Sequence, residues 1–102
     1  MAKATFQAAG STLYACLAGE IDHGAAQLLR TAVDAETDRR LPDLLVLDFS
    51  GVTFMDSSGV GLILGRQRRM QAAGGRLLIR KPPESIQKML RLARIDCMEA
   101  AQ

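Results

Sequence analysis

The sequence predicts a single α/β domain in which a mixed β-sheet of four to five strands, in ββαβαβα order, has helices packed on it. A short hairpin pattern around Gly10-Ser11 opens the chain. Apolar runs then alternate with segments of helical periodicity, which implies crossover connections and parallel pairing of the later strands. The length of 102 residues corresponds to one small domain, residues 1–102, with a frayed tail from about residue 99.

The first half of the chain contains the hairpin and one helix. Residues 5–9 and 12–18 are predicted strands, and the segment 19–22 ends the second strand. Asp22 is well suited to cap the next helix, because its carboxylate can accept a hydrogen bond from a free backbone N–H. Apolar residues then recur at helical spacing until Pro42 ends the helix. These apolar positions are Ala25, Leu28, Leu29, Ala32 and Val33.

The central part of the chain combines a buried strand with a long helix. Residues 44–49 are nearly all apolar, as expected of a central strand covered on both faces. The next helix is predicted from about Ser57 to Ala73. Asp56 is the candidate N-terminal cap of this helix, and Gly74-Gly75 is expected to close it.

The last part of the chain repeats the strand-helix unit. Residues 76–80 enclose an apolar triplet and are predicted to form another buried strand. Pro82-Pro83 is suited to the first turn of a third helix. The apolar stripe of that helix is Ile86, Met89, Leu90 and Ala93. Residues 95–98 are predicted to form a short edge strand.

The composition indicates a cytoplasmic protein with an aliphatic core. Apolar residues make up 48% of the chain, and aromatic residues only 4%. No apolar run reaches the roughly 18 residues needed to span a bilayer, and the first residues lack the apolar core of a signal peptide. Cys16 and Cys97 lie far apart without metal-binding spacing, so we expect two reduced thiols.

The net charge of +2 conceals an asymmetry along the chain. Residues 20–56 contain eight acids and three bases, whereas residues 66–94 contain nine bases and one acid. Basic clustering is one sign of nucleic-acid binding. Here the bases are spread over two predicted helices and a strand, without interleaved aromatic residues for base stacking. The pattern therefore favours solvated helix faces, and no direct contact with nucleic acid is expected.

The most informative segment is residues 48–61, which lead from the predicted central strand into the glycine-rich helix. It places the hydroxyls of Ser57 and Ser58 beside Asp56 at a strand-to-helix junction. A helix start exposes unpaired N–H groups and partial positive charge, which suits a phosphorylated serine. Because no base or metal ligand is arranged beside these serines, the segment predicts a site of modification rather than catalysis.

Three glycines in the helix after Asp56 need an explanation. Gly59, Gly61 and Gly65 each cost roughly 1 kcal/mol relative to alanine inside a helix. One explanation is close packing of the helix on the sheet. The other is close approach of a partner to the start of the helix. Both hold if they concern different faces of the helix.

Catalytic and metal sites are weakly indicated. An acyl hydrolase would require His23, the only histidine, to orient against Ser57 or Ser58, and the glycine-flanked nucleophile pattern of such enzymes is absent. The sequence has no Walker-type phosphate loop and no dinucleotide fingerprint. A metal cluster of Asp22, Asp48 and Asp56 is not expected, because the first and third are predicted helix caps and Asp48 has no assigned role. We therefore expect no catalytic residue and no metal.

The segment of residues 48–61 also resembles a sequence signature of a known protein family. Residues 48–52 and 54–59, Asp-Phe-Ser-Gly-Val and Phe-Met-Asp-Ser-Ser-Gly, resemble the signature of the STAS domain. Within that family they are similar to the anti-sigma factor antagonists of Gram-positive bacteria, above all those of endospore formers that act on an anti-sigma-F factor. The segments 19–23, 60–66 and 74–75 extend the similarity from about residue 3 to residue 98. The family commonly continues into another helix, for which the chain has little room after residue 95.

The resemblance implies a partner-switching function in sporulation. The unmodified protein would bind an anti-sigma factor that is also a serine kinase, and so free the sigma factor. The kinase would then use its own ATP to phosphorylate Ser58, with Ser57 as runner-up, and a serine phosphatase would reset the cycle. The protein itself would hold no cofactor. The implied partner-facing residues are Glu20, Asp22, His23, Asp56, Ser57, Ser58 and Gly59.

Two other functions stay open on sequence grounds. The chain could be a structural or sensory STAS module of a stress-signalling assembly, which a large homo-oligomer would favour. It could also be an enzyme that uses Ser57 or Ser58 with His23. Hydrolysis of acyl esters that disappears in His23→Ala would favour the enzyme.

Overall fold

A four-stranded mixed sheet forms the centre of the fold in the computed structural model, which describes residues 1–95. The elements are β1 (Lys3–Ala9), β2 (Thr12–Ile21), α1 (His23–Arg40), β3 (Leu44–Met55), α2 (Ser57–Ala72), β4 (Arg76–Arg80) and α3 (Glu84–Leu92). The strand order is β1-β2-β3-β4, with β1 antiparallel to β2 and the other pairs parallel. The predicted α/β class, the mixed sheet and the ββαβαβα order are confirmed.

The helices α1 and α2 lie on the same face of the sheet, where α1 packs over β1 and β2 and α2 packs over β3 and β4. The core between helices and sheet is aliphatic apart from Phe49, which is fully buried in β3. Ile86 and Leu90 of α3 also belong to this core. No helix within residues 1–95 is both long and apolar enough to cross a membrane.

Strand β2 continues three residues beyond the predicted end and stops at Ile21. The pairing of β2 with β3 shifts register around Gly19, so a bulge replaces the expected break. Gly19 has φ +92°, and a Cβ atom there would overlap the carbonyl group of Met1. Glycine is therefore required at this bulge both by conformation and by space.

Strand β3 is also longer than predicted, because it runs through the first half of the informative segment to Met55. Val52 and Met55 are buried in this extension, while Thr53 and Phe54 are exposed. Its last residue pairs with Ile21, so β2 and β3 end side by side. The two following helices therefore begin at the same edge of the sheet.

Smaller corrections concern the helices. Leu28 was expected on the apolar stripe of α1, but its side chain is 72% exposed, and the buried positions are Ala26, Leu29 and Val33. Pro83 precedes α3 as its N-cap rather than lying in the first turn. Of the edge strand predicted for residues 95–98, Ile95 is buried and not in a strand. The remainder of that strand, Cys97 and the predicted tail lie outside the described residues.

Candidate functional site

Two helix starts meet at the carboxyl edge of the sheet. The Oδ1 atom of Asp22 accepts a hydrogen bond from the backbone N–H of Ala25 at 2.9 Å, and the Oδ1 atom of Asp56 accepts one from Ser58 at 2.8 Å. Both predicted caps are confirmed. The backbone N–H of Asp56 also donates to the carbonyl of Ile21 at 3.2 Å. This bond ties the turn before α1 to the turn before α2.

The edge brings together the sequence-predicted partner-facing residues, which we call the docking edge. Four of them are exposed: Glu20, Asp22, His23 and Ser57. Asp56 and Ser58 are half-buried, whereas Gly59 is buried. A Cβ atom on Gly59 would overlap the side chain of Met55, so this glycine serves packing between α2 and the sheet. Of the seven predicted partner-facing residues, Gly59 is the one that is buried.

The start of α2 is already occupied by Asp56. The carboxylate of Asp56 accepts from the N–H of Ser58, and its carbonyl accepts from the N–H of Gly59 at 3.0 Å. The sequence predicted that free N–H groups at this helix start would favour a phosphate on Ser58. Those two N–H groups are bound, and a carboxylate lies beside them. A phosphate on Ser58 therefore needs counter-charge from elsewhere.

A groove of about 320 Å³ runs between α1 and α2 from the docking edge. We call it the interhelix groove. The residues that line it include His23, Gln27 and Arg30 from α1 and Ser58, Gly61 and Arg66 from α2. Its size lies at the lower end of the roughly 300–1,000 Å³ range of small-molecule sites. The groove places the predicted modification site opposite basic side chains that no sequence spacing pointed to.

Of the two explanations that the sequence left open for the helix glycines, packing on the sheet holds for Gly59 and not for Gly61 or Gly65. Gly59 packs against Met55, as described above. A Cβ atom on Gly61 or Gly65 would meet no atom within 4 Å, and both residues line the interhelix groove. Packing on the sheet therefore does not offset their cost of roughly 1 kcal/mol each relative to alanine. Their effect is to keep the groove open.

Arg66 is a buried charge, although its sequence neighbourhood predicted a solvated helix face. Its side chain is 8% exposed, and its Nε atom lies 2.7 Å from Oδ1 of Asp34 on α1. The N–H does not point at that oxygen well enough to form a hydrogen bond. Burial lowers the pKa of Arg66, Asp34 opposes this effect, and the neighbouring charges of Arg69 and Arg30 add to it. The ion pair joins α1 to α2 along the groove.

His23 and Ser58 line the same groove without forming the hydrogen bond of a catalytic triad. Within residues 1–95 no hydrogen bond joins the two side chains, and the carboxylate of Asp22 is engaged as a helix cap. A catalytic triad would need that carboxylate to orient the imidazole. The described part of the chain also contains no group of three or more metal-ligating side chains.

Phe54 is a surface feature that sequence reasoning missed. It pairs with Glu20 across the end of the sheet and is 52% exposed. The buried residues Val52 and Met55 lie on either side of the exposed pair Thr53 and Phe54, so strict alternation along β3 breaks here. In the sequence, the signal that could have identified Phe54 is the adjacent apolar pair Phe54-Met55, because neighbouring residues of a strand face opposite sides of the sheet. Phe54 thus adds an exposed aromatic side chain beside the charges and hydroxyls of the docking edge.

Asp48, which had no assigned role, lies on the face of the sheet opposite α1 and α2. Its Oδ1 atom accepts hydrogen bonds from the N–H and the hydroxyl of Ser50, at 2.9 and 2.7 Å. Its Oδ2 atom lies 2.8 Å from the guanidinium of Arg80, which stacks over the ring of Tyr14. Burial alone would raise the pKa of Asp48, but the bonds from Ser50 and Arg80 outweigh it and hold the pKa below its usual value.

Asp48→Asn is expected to lower the free energy of unfolding at neutral pH by about 1–3 kcal/mol, because it removes charge-assisted hydrogen bonds. Since folding lowers the pKa of Asp48, its contribution is complete above the ordinary aspartate pKa of about 3.9. The contribution falls away as the pH drops through the lowered folded-state pKa. Urea unfolding from pH 7 to pH 2 should show the two proteins converging in acid. Asp43→Asn, at an exposed position, is the matched control, and a pH-independent difference would contradict the assignment.

The chain matches known proteins along most of its length. Residues 4–100 match the model of the STAS domain. An anti-sigma F factor antagonist from Lysinibacillus sphaericus is 35% identical over 77 residues, which cover 76% of this chain. The matched segment covers 66% of that relative, just under two thirds of its length.

Two solved structures resemble the fold closely. The unphosphorylated form of the anti-sigma factor antagonist SpoIIAA matches with a TM-score of 0.79 and 27% identity, over 97% of this chain and 92% of that chain. The phosphorylated form of the Bacillus cell fate determinant SpoIIAA matches with a TM-score of 0.73 and 29% identity, over 89% and 83% of the two chains. The family match, together with the sheet topology and the docking edge, leads to one conclusion. The chain belongs to the STAS domain family.

Proposed function

We propose that this chain is an anti-sigma factor antagonist that acts by partner switching. Its unphosphorylated form binds an anti-sigma factor that is also a serine kinase, and this binding releases the sigma factor. The similarity to an anti-sigma F factor antagonist and the fold shared with the anti-sigma factor antagonist SpoIIAA support the proposal. The observation on which it chiefly rests is the position of Ser58, half-buried at the start of α2 on a docking edge where Glu20, Asp22, His23 and Ser57 are exposed.

The switch is a phosphoryl transfer in which this chain is the substrate. The Oγ atom of Ser58 forms a bond to the γ-phosphorus of ATP held by the kinase, and the bond from that phosphorus to the bridging oxygen breaks. ADP leaves, and a base of the kinase takes the hydroxyl proton. A serine phosphatase later uses water to return the serine and inorganic phosphate. The chain itself needs no cofactor and no catalytic residue for this cycle.

Phosphorylation weakens docking through charge rather than through unfolding. A phosphate on Ser58 adds about −1.5 to −2 charges to an edge that already contains Asp22 and Asp56. One like charge about 6 Å from a dianion costs roughly 5 kcal/mol at an effective dielectric constant of 20 before screening. A third of that repulsion from an acidic partner surface reduces affinity about tenfold. An apolar partner surface would instead have to desolvate the dianion. Hydrogen bonds of the two helix caps do not involve the hydroxyl of Ser58, so they survive the change.

Ser58→Ala is expected to abolish phosphoryl uptake in the presence of the partner kinase and ATP. Ser57→Ala, which removes the neighbouring exposed hydroxyl, should be phosphorylated at a rate close to that of the parent chain. Intact-mass spectrometry over time, followed by peptide mapping, measures both. Phosphoryl uptake by Ser58→Ala at the parental rate would contradict the assignment of Ser58 as the phosphorylation site. Loss of uptake only in Ser57→Ala would identify Ser57 as that site.

A further inference from the structure

The interhelix groove has an excess of positive charge. Arg30 and Arg66 line it, and within residues 1–95 no carboxylate belongs to its lining. Arg66 shares the carboxylate of Asp34 with Arg69, whose Nε atom lies 3.3 Å from the same oxygen. Arg30 is exposed and forms no ion pair with any described carboxylate within 4 Å. One guanidinium is therefore available for an anion in the groove.

The space in the groove lies next to Ser58. Gly61 follows Ser58 by one helical turn on the same face of α2, and a Cβ atom there would meet nothing within 4 Å. The groove volume of about 320 Å³ accommodates the four non-hydrogen atoms of a phosphoryl group. Long side chains of a helix point towards its N-terminus. Arg66 follows this tendency, since its Nη1 atom donates to the carbonyl of Leu62, one turn nearer to Ser58. Arg30 lines the same groove as Ser58.

The other source of positive charge near Ser58, the start of α2, is partly occupied. The N–H groups of Ser58 and Gly59 are bound to Asp56, and its carboxylate lies against the helix start. A phosphate that remained at that start would face a like charge. A phosphate that turned into the interhelix groove would face His23 and Arg30 instead.

We propose that the phosphoryl group on Ser58 is seated in the interhelix groove, where the guanidinium of Arg30 neutralises part of its charge. The inference rests on the phosphorylation of Ser58 proposed above and defines how the modified form is stabilised. The seated phosphate covers Gly61 and fills the entrance of the groove. Phosphorylation thus removes a concave surface from the docking edge in addition to adding charge. Arg30 is a positioning residue for the phosphate, not a catalytic one.

The experiment uses the full chain with phosphoserine installed at position 58 during translation, so that no kinase is needed. A phosphoserine ordinarily has a second pKa of about 6, which ³¹P NMR titration measures directly. The groups that face the phosphate are His23 and Arg30 of α1, Arg66 of α2 and the caps Asp22 and Asp56. With the phosphate seated, the cations are expected to lower its pKa by about one unit, a tenfold change in proton affinity.

Arg30→Ala should return the pKa of the phosphoserine to about 6 or above. The matched control is Arg68→Ala, an exposed arginine of α2 outside the groove lining, which should leave the lowered pKa unchanged. Gly61→Leu should also raise the pKa, because its side chain fills the entrance of the groove in a position free of steric contacts.

A pKa of about 6 or above in the parent phosphoprotein would overturn the proposal, as would equal values in the parent and in Arg30→Ala. This result is independent of the proposed function. If the kinase does not modify Ser58, the proposed switching cycle is wrong, but the titration still tests whether the phosphate lies in the interhelix groove. If the kinase modifies Ser58 efficiently and the phosphoserine keeps its ordinary pKa, only the proposed position of the phosphate is wrong.

Discussion

Replacing Asp34 with alanine is expected to lower the free energy of unfolding by about 3 kcal/mol, the lower end of the range for breaking a buried ion pair. The reason is the charge left behind. Arg66 has a side chain only 8% exposed, and without Asp34 it would face Arg69 and Arg30 alone. The lower end applies because the side chain of Asp34 is itself 20% exposed and is partly screened by water. Urea denaturation at neutral pH measures the loss.

Two companion variants separate charge from lost packing. Asp34→Ala combined with Arg66→Met removes both charges and should recover most of the stability, since apolar replacements of buried pairs are often neutral. Asp38→Ala removes the exposed partner of Arg69 one turn later on α1 and should cost at most about 1 kcal/mol. If the double variant is as unstable as Asp34→Ala, the stranded charge is not the cause.

Phe54→Ala is expected to weaken binding of the partner kinase by at least about thirtyfold, or roughly 2 kcal/mol. Aromatic side chains that are exposed in the free protein and become buried on binding commonly dominate an interface. Phe54 lies at the end of β3 beside Glu20, on the edge that holds Ser57 and Ser58. Isothermal titration in the Ser58→Ala background measures the dissociation constant without interference from phosphoryl transfer.

The control for Phe54 is another exposed apolar residue at a distance. Leu41, which is 78% exposed, follows the C-terminus of α1, whereas His23 begins that helix 18 residues earlier. Leu41→Ala should bind with parental affinity. Equal weakening by both substitutions, or parental affinity in Phe54→Ala, would remove Phe54 from the interface. The melting temperature of Phe54→Ala should change little, because half of its surface is already in water.

Local chemistry made the helix starts and one strand predictable from the sequence. Asp22 and Asp56 were identified as caps because a carboxylate before a helical pattern has few other roles, and both bonds are present. The strand Arg76–Arg80 was predicted with its observed bounds, since a basic residue at each end encloses a short apolar run. The meeting of the two turns came from the structure, in which Ile21 at the end of β2 pairs with Met55 at the end of the parallel strand β3.

Long-range packing was less predictable. The extension of β2 past Gly19 depends on a bulge against Met1, which no spacing in the sequence indicates. Arg66 belongs to a basic run that resembles a solvated face, and only the approach of α1 shows that Asp34 compensates it. The same approach creates the interhelix groove. The groove could therefore be identified only from the structure, whereas the serines beside it could be identified from the sequence.

The bond between the N–H of Asp56 and the carbonyl of Ile21 has a consequence for the kinetics of association. Together with the two carboxylate caps it holds both turns in one conformation before any partner arrives. Little conformational entropy then remains to be lost at the backbone of this edge when a complex forms. We therefore expect partners to bind this edge by rigid-body docking. Strong and weak complexes should then differ mainly in their dissociation rates rather than in their association rates.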